Sequence, residues 1–253
     1  MYNLGMVLKR TVSIAVKKGV FRVAHRERFQ TKHEIIKLAS RMFLTQGYTV
    51  SSTKKMAEEL DISIGNLAYH FPTKEHLLAE LTERLCEYHL IVMEAEIDEG
   101  ITSLLAYLLE LTSMMAICEE NEVAKDLYTS VYKHSLPLTI MRQADVQKIK
   151  EIFSPYCPDW TDEDFILTEN AVSGIEYASL MKENAQEVPL DKRIVKTLNV
   201  VMKAYNVPED IRNQKIKKVL NLDYRKIGRQ FIQGFTKYVE NINQQALNKA
   251  SQH

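Results

Sequence analysis

From Thr31 onward, apolar residues recur every three or four positions, the period of helices with one buried face. Ile35, Ile36, Ala39, Met42 and Phe43 mark a first helix, with Thr31 as its cap and Gly47 as its stop. Ser51-Ser52-Thr53 supplies capping hydroxyls for a second helix, whose buried side is Met56, Ala57 and Leu60. Asp61-Ile62 forms a break. Ser63 then caps a short third helix, which hides only Leu67 and Phe71 and presents Ser63, Ile64, Asn66, Tyr69 and His70 outward. Pro72-Thr73 ends it, and Thr73 caps a fourth helix from Lys74 toward Glu96. Further helices are predicted over 101–118, 122–132, 137–153, 161–181, 191–205, 208–221 and 223–245. Thr161 followed by Asp162, Glu163 and Asp164 is a strong helix start, its acids complementing the dipole.

With eight glycines, six prolines and no Asn-Gly or Asp-Gly hairpin signal in 253 residues, the chain reads as all-α. Two helices joined by a turn of about three residues, the second short and polar, have the layout of a helix-turn-helix. A polar helix of this kind suits reading a surface, and the major groove of DNA is a surface that admits a helix. Total charge is zero, but residues 1–30 carry seven bases against Glu27 alone, leaving an acidic remainder. A basic end on an acidic body is compatible with nucleic-acid binding. The same stretch also fits a disordered tail, since termini are often poorly ordered.

Other chemistries find little support. Cys86, Cys118 and Cys157 are far apart and lack zinc spacing, so they read as reduced thiols of a cytoplasmic protein. Nucleophile-elbow, phosphate-loop and H-E-x-x-H patterns are lacking, so no enzyme, metal or cofactor is expected. No apolar run is long enough to span a membrane.

The segments IIKLASRMFLTQGY, SSTKKMAEELDIS, IGNLAYHF and TKEHLL, in that order and spacing, resemble the DNA-binding domain of tetracycline-repressor-like (TetR family) transcriptional regulators. The resemblance implies an N-terminal three-helix helix-turn-helix domain over 31–79 behind the basic arm of 1–30. A helical ligand-binding and dimerisation domain over 80–248 would follow. One departure is Ala68, where the family commonly has a tyrosine.

On this reading the partners are a palindromic double-stranded operator, a second copy of the chain and a small-molecule effector. The expected role is repression relieved by that effector. The alternative is a ligand-independent DNA-binding adaptor regulated by a protein partner. Ser63, Ile64, Gly65, Asn66, Tyr69 and His70 would face DNA. Ile64 would meet a thymine methyl, Gly65 would allow close approach, and Asn66 would bond an adenine edge or a phosphate. Ser51, Thr53, Lys54 and Lys74 would anchor phosphates. Mid-helix aromatic and sulfur side chains, Tyr107, Met114, Cys118, Tyr128, Tyr132, Tyr177 and Met181, are candidates for an effector pocket. In the last helix Tyr224, Ile227, Phe231, Phe235 and Tyr238 form an apolar stripe, with Gly228 and Gly234 permitting close approach. It is expected to face a second chain at least in part, the alternative being core of its own chain.

Overall fold

The computed structural model describes residues 30–96, 103–181 and 188–252, all in helices and short connections without a strand. The basic arm therefore lies outside the described residues, apart from Gln30. The helices are α1 (30–45), α2 (Thr53–Glu59), α3 (Ile64–His70), α4 (Lys74–Glu96), α5 (Leu104–Glu120), α6 (Glu122–Lys133), α7 (Ser135–Phe153), α8 (Asp162–Leu180), α9 (Leu190–Ala204), α10 (Glu209–Leu220) and α11 (Tyr224–Gln252). A single 3-10 turn, Ser154–Tyr156, follows α7.

Most boundaries lie within a few residues of the sequence reading. Thr161 accepts the Asp164 N–H, and Asp164 in turn accepts the Thr161 N–H at 2.8 Å, a full capping box at the start of α8. Thr31 lies inside α1 rather than capping it.

The helix α5 is the hub. Fourteen of its seventeen residues are buried, and a helix apolar on every side belongs at the centre of a bundle. Around it pack α4, α6, α8, α9, α10 and α11, while α7 lies across α4, α6 and α8. Helices α1–α3 and the start of α4 form a head, whose core joins Ile35, Phe43, Met56, Leu67 and Phe71. The expected division at residue 79 falls within α4, so a rigid helix about 35 Å long joins head and body in place of a linker.

The apolar stripe of α11 is core. Tyr224, Ile227, Phe231 and Phe235 are between 0 and 9 % exposed in the single chain. Phe231 and Phe235 pack on Tyr88 of α4, with ring centroids 5.0 and 5.6 Å away. Tyr238, half-buried, donates to Glu87 at 3.1 Å. A Cβ at Gly228 would sit 2.8 Å from the Ser113 carbonyl oxygen, and one at Gly234 only 2.0 Å from the Tyr88 hydroxyl. The glycines permit close approach to α5 and α4 of the same chain. In the single chain, the stripe expected to face a second copy is met by α4 and α5: helical periodicity reports a buried face without saying what buries it.

Candidate nucleic-acid interface

The turn between α2 and α3 is made by Asp61 in the left-handed region (φ 53°), which a short polar side chain tolerates. Ser63 then caps α3, its hydroxyl accepting the Asn66 N–H at 3.0 Å. Leu67 and Phe71, 2 and 3 % exposed, hold the short helix to the head. Its other face is open. Ile64 is 54 % and Tyr69 61 % exposed, and Ser63, Gly65, Asn66 and Ala68 are exposed beside them. His70 is half-buried, with its ring 5.3 Å from that of Tyr69. A Cβ at Gly65 would meet only the Ser63 hydroxyl, at 3.8 Å, so no packing within the chain requires glycine there. Ala68 points outward, so a ring in its place would meet a partner rather than the core.

The flanking residues divide. Lys54 and Thr53 open α2, Lys54 exposed and only 4.0 Å from Glu58. Ser51 is buried, and its hydroxyl donates to the Gly47 carbonyl at 2.6 Å; Ser52 is the cap of α2. Ser51 is therefore corrected from phosphate anchor to internal brace. Lys74 is turned inward as well in this structure. Its ammonium lies 4.1 Å from the Tyr48 ring centroid and donates to the carbonyls of Tyr48, Ser51 and Thr49 at 2.8, 3.0 and 3.4 Å. In this structure its donors are directed at carbonyls of the chain. Burial lowers the Lys74 pKa, with Asp126 opposing, and pushes Tyr48 up to about 12. Lys74→Ala is expected to cost about 1–3 kcal/mol of stability by stripping three carbonyls of a charged donor. Its measure is thermal denaturation, with the salt dependence of DNA binding unchanged.

Two acids missed in the sequence tie head to body. Asp126 of α6 accepts the Thr49 N–H at 2.8 Å and the Thr49 hydroxyl. Glu75 accepts the Leu136 N–H at 2.7 Å and the Ser135 hydroxyl at 3.2 Å, and the Leu136 bond is the main reason its pKa is lowered. Exposed Val50, beside α2, was also missed; an isolated apolar loop residue carries no sequence signal.

Residues 35–81, spanning α1 to the first turns of α4, match the family model of bacterial regulatory proteins, tetR family. Residues 35–81 are therefore a tetR-family DNA-binding domain. No curated protein matches the chain. Among solved structures, the TetR family protein CprB from S. coelicolor A3(2) is 16 % identical, with a TM-score of 0.41 over 82 % of this chain and 98 % of that one. A gamma-butyrolactone receptor (ArpA-like protein) is 14 % identical, with a TM-score of 0.40 over 83 and 99 %. AmtR of Mycobacterium smegmatis is 15 % identical, with a TM-score of 0.36 over 74 and 93 %. These likenesses are too loose to carry an argument about this regulator.

The body of the chain holds a cavity of about 70 Å³ between α4, α5, α6, α7 and α8. Four expected pocket residues, Tyr107, Met114, Tyr128 and Tyr132, line it. The other three are corrected. Cys118 is buried elsewhere on α5, while Tyr177 and Met181 line an open groove between α8 and α9. The wall is polar in a way the sequence did not show. Tyr107 and Tyr132 donate to Glu176 at 2.7 and 3.1 Å, and Tyr205 donates to Glu169 at 2.7 Å. Glu110 is paired with Lys148 and lies 3.3 Å from His89 Nδ1. Burial pushes Asp145 up to about 7 and His89 down to about 4, and raises Glu169 and Glu176.

No helix among the described residues is long and apolar enough to cross a membrane.

Proposed function

We propose that this DNA-binding regulator reads a palindromic operator as a homodimer and represses until a small molecule enters the body and releases it. The observation that carries the reading is α3, a short capped helix with Ile64, Asn66 and Tyr69 outside and Leu67 and Phe71 inside. Exposed Ile and Tyr beside an amide form a surface fitted to base edges and thymine methyls. Thr53 and Lys54 flank it as phosphate contacts. The test is Asn66→Ala on the selected operator. Binding there is expected to fall about 10-fold or more, with affinity for unrelated DNA unchanged. Equal loss on both DNAs would assign Asn66 to the backbone instead.

Helix-turn-helix domains read two half-sites about one helical turn or a multiple apart, which calls for a second copy. With α11 used internally, the outward face of α8 is the better surface. Leu167, Ala171, Gly174 and Ala178 recur there at helical steps, all exposed, with Ile166 alongside. A Cβ at Gly174 would meet nothing within 4 Å, so the glycine leaves room for another helix. Leu167→Glu is expected to give a folded monomer in analytical ultracentrifugation, with Tm at low concentration unchanged; an intact dimer would assign the face elsewhere.

Release by a ligand is supported by the continuity of α4. Its first turn holds the head through Lys74 and is tied to α7 by Glu75, and further along it lines the cavity with Cys86 and His89. A ligand that prefers one tilt of this helix shifts the spacing of the reading helices, and DNA must weaken that ligand by the same factor. The cavity favours this reading over a ligand-independent adaptor.

A further inference from the structure

We propose that the body cavity takes an organic cation, a protonated amine on an aromatic or apolar frame, and that such a cation is the effector. The inference rests on the regulator reading above for its role, and on the cavity alone for its chemistry.

The carboxyls of the wall set the sign. Glu110, Asp145, Glu169 and Glu176 line the cavity against one lysine, Lys148, which is committed to Glu110. Near Glu169, Arg142 spends its guanidinium on the Ser173 hydroxyl and the Asn170 carbonyl. Among the described residues Asp145 accepts no hydrogen bond. Glu176, which accepts two, keeps lone pairs free. His89, 6 % exposed, also lines the cavity, and its Nδ1 has no hydrogen bond, Glu110 lying beside it without the geometry of one. Unsatisfied buried polar groups are rare and call for a partner. An anion would meet three carboxyls without a free base, whereas an ammonium supplies the donors and the charge that the wall lacks.

The rest of the wall sets the body of the ligand. Tyr107, Tyr128 and Tyr132 present rings, and Leu85, Leu111 and Met114 present apolar surface. Aromatic faces attract cations, and thioether side chains adapt to an irregular apolar body. At about 70 Å³ the cavity admits only a small group as it stands, so a larger amine has to part its walls. One of those walls is α4, which carries the head.

Asp145 supplies a signature. It is uncharged in part near pH 7, facing Lys148 on its own helix, Glu110 of α5, Glu176 and Glu169 of α8, Tyr132 of α6 and Cys86 of α4. An arriving ammonium favours the carboxylate, so binding releases a proton.

The test uses the full chain with benzylamine, tyramine and tryptamine. Each is paired with an uncharged and a carboxylate compound of the same ring and similar length. Calorimetry in two buffers of different ionisation heat is expected to show at least one amine binding 10-fold or more tighter than both counterparts, with proton release near pH 7. Asp145→Asn should lower that affinity at least 10-fold and reduce the release, Glu169 and Glu176 keeping part of it; Glu176→Gln should lower the affinity too. An uncharged or acidic counterpart binding as tightly as its amine, or no amine binding at millimolar concentration, would overturn the proposal. Amine binding that leaves operator affinity unchanged overturns the effector role and keeps the site. If an uncharged compound or an acid releases the operator, the cation inference fails while the regulator reading stands. If no DNA is bound selectively, the regulator reading fails whatever the amines do.

Discussion

Phe235→Ala is expected to cost about 3–5 kcal/mol of stability, a fall in Tm of roughly 10 °C, without changing the oligomeric state. Phe235 is fully buried in the single chain, where α11 packs on α4 and α5, with its ring against Tyr88 and Phe231. Truncation leaves a cavity where the helix that carries the head meets the bundle, and a close-packed wall relaxes into such a void only in part. Leu167→Glu is predicted to do the reverse, separating the copies and sparing the fold. Thermal denaturation and sedimentation of the two variants side by side check both. If Phe235→Ala produced stable monomers, α11 would be the dimer helix and its burial in the single chain would be misread.

Asp145→Asn is expected to stabilise the protein most above neutral pH, less at pH 5 and little below about pH 4. A carboxyl whose folded-state pKa lies above its unfolded value favours folding while protonated and opposes it once ionised. Burial pushes Asp145 up to about 7, so its contribution is full below about pH 4 and is lost as pH rises to about 7. The penalty at alkaline pH is at most about 4 kcal/mol. Asparagine keeps the shape and removes the charge, and Lys148 keeps its partner Glu110. Glu169 and Glu176, raised by the same burial, leave a smaller slope of the same sign in the variant. Thermal denaturation of both proteins at pH 5 and pH 8 measures this; an equal gain at both would exclude ionisation as its cause.

The head was legible because its signals are local. Ser63 three residues before Asn66, Leu67 four before Phe71, and the acid run after Thr161 each work within one or two turns of the chain. Where partners come from afar, sequence was silent. Lys74 is met by carbonyls 23 to 26 residues back, and Thr49 by a carboxylate 77 residues on. In SSTK the three adjacent hydroxyls look alike; the fold turns Ser51 inward and makes Ser52 the cap. The α11 stripe was legible as a buried face, but not the elements that meet it within the chain, α4 and α5. Glu110, Asp145, Glu169 and Glu176 sit at spacings that a solvated helix face also shows, so only the packing of α5, α7 and α8 reveals that they converge.

The central claim is that α3 reads DNA in pairs. Selection of bound fragments from a random double-stranded pool, with the full chain and with Asn66→Ala in parallel, tests it most directly. The account predicts an enriched palindrome with half-sites about one helical turn or a multiple apart, lost with Asn66→Ala. A pool with no enriched sequence, or the same enrichment with Asn66→Ala, would contradict it.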